Sequence, residues 1–179
     1  MEKKRPWITF FSQTGTEIVD LTQKLGVDPD ILVTNERPEK LRKINPRILE
    51  SYKLVTVPNK PTVEDYEQVL GYYENPIVTL HGWLRVVPEE ICTKYNMFNG
   101  HPGLITKYPE LKGKDPQVRA YEGNYELIGA VLHKVSPGVD EGKIIAEEYV
   151  GGGLSLDETF HILRDRSLYM WHNFLEKVL

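Results

Sequence analysis

"PWITFFSQTGTEIVDLTQKL", residues 6–25, is the stretch on which the fold turns. Its first part, Pro6 to Ser12, is a near-continuous apolar run, too short for a helix and rich in aromatic and β-branched residues. Such a run reads as a strand covered on both faces. "QTG" then turns the chain. From Glu17 to Leu25 the apolar positions Ile18, Val19, Leu21 and Leu25 follow helical spacing, with polar residues between them. A strand buried on both sides and followed at once by an amphipathic helix is the unit of a parallel, helix-covered sheet.

The same alternation continues outward. "DILVTN" (30–35) and "YKLVTVP" (52–58) read as the second and third strands. Thr62-Val63-Glu64-Asp65 has the form of a capping box opening a helix through Leu70. "PIVTL" (76–80) is a fourth strand ending at a His81-Gly82 turn. "PEEICTKY" (88–95) is a short helix whose leading proline costs no hydrogen bond. "NMFN" (96–99) supplies a fifth strand. The pattern then changes: "ELIGAVLHKV" (126–135) and "KIIAEEYV" (143–150), joined by "SPGVDEG", read as an antiparallel hairpin. Gly151–Gly153 forms a hinge, and the capping box Ser155 to Glu158 starts one long helix that runs to the C-terminus. The expectation is α/β: a doubly wound, mostly parallel sheet with an antiparallel hairpin near the C-terminus and a C-terminal helix. No repeat or linker interrupts the chain, so residues 1–179 are expected to form one domain.

Composition narrows the function. The 179 residues carry a net charge of −4, with 40% apolar and 27% charged residues. No basic stripe marks a nucleic-acid surface. The opening "MEKKRP" is basic but short, and "WITFF" behind it is too brief for a signal segment or a membrane span. The only cysteine, Cys92, has no partner for an intrachain disulfide or a thiolate metal site, which fits a reducing cytosol. No metal is expected, and oligomeric state is not legible.

Open α/β sheets bind ligands beyond the carboxyl ends of their strands. That places Ser12–Glu17, His81–Val87, Asn99–Leu104 and Ser136–Gly142 around one crevice. In "NMFNGHPGLITKYPEL" (96–111), Asn99 and His101 stand two apart, hemmed in by Gly100, Pro102 and Gly103. Each feature also has a plain reading. Asn-Gly-His-Pro is ordinary turn chemistry, Asp140 suits a solvated turn, and His81 and His133 suit packing.

In sequence order, "FSQTGTE" (11–17), "LHGWLRVVP" (80–88), "FNGHPGLITKYP" (98–109) and "GAVLHKVSPGVDEGKII" (129–145) resemble the folate-dependent formyltransferase family. Within it, the phosphoribosylglycinamide branch is the nearest in pattern. The resemblance implies Asn99, His101 and Asp140 as catalytic residues, with a protonated His101 and the Asn99 amide facing a developing oxyanion. It implies a folate wall from Leu84, Arg85, Val86 and Val87, opposed by Val135, Ser136, Val139 and Asp140. Ser12, Gly15, Thr16, Glu17, Gly82 and Pro102 would meet the acceptor. The formyl donor implied is 10-formyltetrahydrofolate as co-substrate. The acceptor implied is a primary amine, phosphoribosylglycinamide or an amino sugar nucleotide, in one-carbon metabolism and purine biosynthesis.

The first loop departs from that pattern. Gln13 stands where the family has a glycine, and Glu17 puts negative charge where a phosphate would bind. Ser167 falls, without gaps, where the family carries a ribose-contacting glutamate. Two alternatives follow: hydrolysis of the formylated folate with the same three residues, or, from the Ser12, Thr14, Gly15 loop, an FMN-binding flavodoxin-like electron carrier.

Overall fold

Five short strands run parallel: β1 (Trp7–Phe11), β2 (Ile31–Thr34), β3 (Leu54–Thr56), β4 (Ile77–His81) and β5 (Asn96–His101). β6 (Leu127–Lys134) and β7 (Ile144–Gly151) add an antiparallel pair at one edge. This computed structural model describes residues 3–179. Met1 and Glu2, which begin the expected domain and its basic opening, lie outside the described residues. The strand order is β3-β2-β1-β4-β5-β6-β7. The chain therefore reverses direction of travel between β1 and β4, which opens a crevice at their carboxyl ends. A flavodoxin-like sheet has the order 2-1-3-4-5, so the topology argues against the electron-carrier alternative.

Alternation along the strands splits the core in two. Ile8, Phe10, Val78, Leu80 and Met97 pack under α3 (Val63–Leu70) and α4 (Glu89–Lys94). Trp7, Ile77, Phe98 and Leu132 pack on the other face with α1 (Thr16–Leu25) and α6 (Leu156–Val178). Both expected capping boxes form: Thr62 with Asp65 opens α3, and Ser155 with Glu158 opens α6. Of the glycine hinge, Gly151 ends β7. A side chain at Gly152 would sit 1.9 Å from the Tyr125 carbonyl, so the chain passes too close there for anything larger.

Some boundaries and elements differ from expectation. β4 includes His81, because its backbone stays in register with Phe11 of β1. β5 continues two residues past Asn99, so Gly100 and His101 are strand residues rather than members of a turn. Two helices were not foreseen: α2 (Pro46–Ser51) and α5 (Pro116–Glu122). Short 3-10 segments span Pro38–Lys43 and Pro109–Leu111. Among the described residues, no helix is long and apolar enough to cross a membrane.

Candidate active site

Strand register builds the site. Asn99 of β5 pairs with Leu80 of β4 on one side and with His133 of β6 on the other. Residues paired across a sheet share a face, so Asn99, His101 and His133 point to the same side, and Gly100 to the other. Gly100 is needed there: a Cβ would lie 2.8 Å from Trp171 Nε1 on α6. Gly103 plays a similar part on the site's own face. A Cβ at that position would come 2.9 Å from His101 Nε2 and 2.8 Å from Pro116.

Asp140 closes the arrangement from the β6–β7 connection, where it adopts a left-handed φ of 52° that aspartate tolerates better than most residues. Its side chain is 9% exposed, which is not the solvated turn that its glycine-flanked sequence suggests. One oxygen, Oδ1, lies 3.3 Å from His133 Nε2 and 3.5 Å from the Asn99 amide nitrogen. The other, Oδ2, lies 3.3 Å from His101 Nδ1 and accepts the Gly113 backbone N–H at 2.9 Å. Burial pushes this carboxyl up, but the His133 and Gly113 hydrogen bonds and the two imidazoles hold it below its ordinary value.

The structure thus brings Asn99, His101 and Asp140 together and adds His133, which lies in the matched segment 129–145 but is given no role by the sequence reading. The signal available was its register position: a strand histidine a few residues ahead of the Asp140 loop. His133 is 3% exposed, and its Nδ1–H donates to the Lys134 carbonyl at 3.0 Å. That fixes Nε2 toward Asp140 and Asn99. His101 sets both ring nitrogens against acceptors, Nδ1 against Asp140 and Nε2 against the Leu111 carbonyl. Burial pulls it below the ordinary histidine value, and His133 and Arg119 add to that. Asp140 and the Leu111 carbonyl, 2.9 Å from Nε2, pull upward without overcoming it.

The residues expected to wall a folate lie in two neighbouring loops. Val87 belongs to the apolar cluster under α3 and α4, and Val135 packs against that same cluster. Leu84, Val86 and Val139 are exposed, at 53%, 67% and 54%. Ser136 is half-buried. The Arg85 guanidinium donates to the Asn59 carbonyl and side-chain oxygens and to the Leu84 carbonyl, which fixes the loop from its outer side. Exposed aliphatic side chains on a braced loop at the crevice suit a flat aromatic ligand. Among the described residues, no group of three or more histidine, cysteine, aspartate or glutamate side chains could hold a metal ion.

On the acceptor side the side chains are largely engaged with the protein itself. Ser12 is buried, and its hydroxyl accepts the Leu84 N–H at 3.0 Å. Gly15, at φ 69°, leaves room for Ile48 of α2, and Thr16 begins α1. Gly82, at φ 64°, is exposed, and Pro102 is half-buried. Glu17 was expected to face an acceptor. Instead its Oε1 lies 2.6 Å from His81 Nδ1, and its Oε2 accepts the Ser167 hydroxyl at 2.8 Å. His81 in turn stacks 4.6 Å from the Trp171 ring. The position where a family member would carry a glutamate thus holds the serine that binds Glu17.

Burial pushes the Glu17 carboxyl up, yet the His81 and Ser167 bonds, with Arg164 nearby, hold it below its ordinary 4.5. A folded value below the unfolded one stabilises the protein above about pH 4.5, and the benefit fades as pH falls through the folded value. The side chain is 28% exposed, so the pair ranks between a surface bridge and a buried one. Glu17→Gln should therefore cost about 1–3 kcal/mol near neutrality. In urea unfolding followed down through that pH range, the gap from wild type should narrow. A gap that stays constant with pH would mean that the charge contributes nothing.

Comparison with known proteins gives the family and the fold. The formyl transferase family model matches residues 13–179. The human trifunctional purine biosynthetic protein adenosine-3 is 34% identical over 84 residues, covering 46% of this chain and 8% of that protein. A formyltetrahydrofolate deformylase of Synechocystis is 30% identical over 98 residues, covering 54% of this chain and 34% of the relative. The chain thus spans well under half the length of these relatives. In three dimensions, the crystal structure of phosphoribosylglycinamide formyltransferase from Bacillus halodurans superposes with a TM-score of 0.77. It is 23% identical and covers 98% of this chain and 95% of its own.

Proposed function

We propose that this chain, which belongs to the formyl transferase family, moves the formyl group of 10-formyltetrahydrofolate to the primary amine of a small acceptor. Formyl transfer from that folate is the chemistry of the family. The observation that carries the reading is the convergence of Asn99, His101, His133 and Asp140 on one face at the carboxyl end of β5.

The bound folate presents an electrophilic formyl carbon on N10. The Asn99 amide N–H donates to the formyl oxygen as negative charge develops there, and its hydrogen bond to the His133–Asp140 pair keeps it aimed. Asp140, held ionised, accepts the proton that the attacking amine sheds, directly or through a water, and returns it to N10 as the carbon–nitrogen bond breaks. His101, between the Leu111 carbonyl and Asp140 Oδ2, holds the carboxylate in place while it carries that proton. Leu84, Val86, Val87, Val135, Ser136 and Val139 would hold the folate. Ser12, Gly15, Thr16, Gly82 and Pro102 shape the acceptor side, with Glu17 beneath it. A cytoplasmic location belongs to the same proposal.

One observation favours a second reading. Glu17 places a carboxylate in the first turn of α1, where a phosphate-bearing acceptor would otherwise meet a helix N-terminus. With water as acceptor the same residues would release formate. The test is turnover of 10-formyltetrahydrofolate with and without a panel of amines, following released tetrahydrofolate and the mass of any formylated product. Amine-dependent product supports transfer, and formate without amine supports hydrolysis. A companion measurement is calorimetry with 5-deazafolate, which should bind with no acceptor present. An absence of both folate binding and turnover would reject both readings.

A further inference from the structure

The segment 110–114 holds two of the four site residues in place. The Leu111 carbonyl accepts from His101, and the Gly113 N–H donates to Asp140. Yet this segment has little regular structure of its own. It leaves the 3-10 turn Pro109–Leu111 and passes through left-handed φ values at Gly113 (84°) and Asp115 (51°) before α5 begins. Besides the turn's own bonds and the buried Leu111 side chain, one side chain gathers its carbonyls. From α5, Arg119 reaches back, and its Nε donates to the Lys114 carbonyl at 2.9 Å. Nη1 donates to Glu110 at 2.5 Å, and Nη2 to Leu111 at 3.1 Å and to Lys112 at 2.7 Å.

A guanidinium has five N–H donors in a rigid plane, and this one bonds the carbonyls of four residues in a five-residue stretch. The Leu111 carbonyl is shared between Arg119 and His101. We propose that Arg119 is a positioning residue for the reaction: it moulds segment 110–114 so that Leu111 and Gly113 hold His101 and Asp140 in their working geometry. The proposal rests on the site assignment above for its catalytic consequence, but its structural content does not depend on which acceptor is used. Lysine would keep the charge, but an ammonium cannot reach carbonyls spread along one loop as a planar fork does.

The test compares Arg119→Lys and Arg119→Met with wild type, reading turnover, folate binding and the NMR titration of the His101 ring in ligand-free protein. Both variants should bind 5-deazafolate as wild type does, yet lose kcat by on the order of 10–10²-fold, as expected for a misplaced catalytic group. The groups facing His101 are Asp140, His133 and Arg119. Once the loop loosens and water reaches the ring, its titration should rise toward the free-histidine value of about 6.5. Wild-type kcat and an unmoved His101 titration in both variants would overturn the proposal, even if their melting temperatures fall. Should Arg119→Met fail to fold, Arg119→Lys carries the test alone. Should wild type turn over no formylated folate, the reaction assignment fails, while the His101 titration still decides whether Arg119 positions the site.

Discussion

Asn99→Ala is expected to lower turnover by on the order of 10²–10³-fold, the usual cost of removing one donor to a developing oxyanion. The loss should fall on kcat and leave folate binding nearly unchanged, because Asn99 is proposed to face the reacting carbon, apart from the loop residues proposed to wall the ligand. The side chain is half-buried on β5, so truncation should leave the fold standing. His133 and Asp140 would still contact one another at 3.3 Å. That makes the variant more informative than Asp140→Ala, which would remove the acceptor of the Gly113 N–H as well. The measurement is stopped-flow or steady-state release of tetrahydrofolate under saturating donor. Near wild-type kcat in Asn99→Ala would show that the oxyanion is stabilised by something else. The leading substitute would be His101, and His101→Ala in the same assay decides between them.

Much of the architecture was legible because the strands are short and covered on both faces. "WITFF" and "IVTL" are near-continuous apolar runs, and every residue of β1 and β4 is indeed buried. The capping boxes at Thr62 and Ser155 were equally readable, since a cap is local chemistry. The two unforeseen helices also carried a local signal: Asn45-Pro46 and Asp115-Pro116 each pair a good cap residue with proline at the first helical position. They were obscured by their brevity, since neither is long enough to show periodicity.

The site was harder. Asn99 and His101, implied as catalytic by the resemblance, also admit a plain turn reading because glycine and proline surround them. In the sheet those glycines serve close packing: Gly100 admits Trp171 and Gly103 admits the His101 ring. His133 sits in the matched segment 129–145 but receives no role from it, because what makes it part of the site is the antiparallel register that sets it opposite Asn99. Glu17 shows the same limit from the other direction. Its place after Gly15 suggested a residue open to a ligand. Its actual partners are 64 and 150 residues further along the chain, on β4 and α6. A long-range partner of that kind leaves no trace in the spacing around it.

Gly142→Ala should be among the most damaging small substitutions in the molecule. The β6–β7 connection bulges where Leu132 and His133 meet β7, and the chain returns past Lys134 so closely that a Cβ on residue 142 would lie 1.5 Å from the Lys134 carbonyl oxygen. That atom is main chain and cannot swing aside. The added methyl must therefore displace the connection, or break the bond from the Lys134 N–H to the Lys143 carbonyl, now 2.9 Å long. Asp140 lies two residues upstream and His133 Nδ1 only 3.4 Å from the same methyl position, so both site residues move with it. The expected cost is about 4 kcal/mol or more, in the range reserved for steric conflict in packed structure. For a chain of this size that lowers the melting temperature by about 8–16 °C. Where the variant still folds, kcat should also fall by on the order of 10²-fold, since an ångström of displacement at a catalytic group suffices for that. Gly153→Ala separates this mechanism from a general intolerance of alanine. Gly153 has a positive φ of 78° but open space where a Cβ would go. It should therefore cost only the left-handed backbone penalty of about 1–2 kcal/mol and leave kcat alone. Thermal unfolding and turnover measured on both variants decide the matter: if Gly142→Ala proves as mild as Gly153→Ala, the connection is free to relax, and the tight approach at Lys134 is not what holds Asp140 in place.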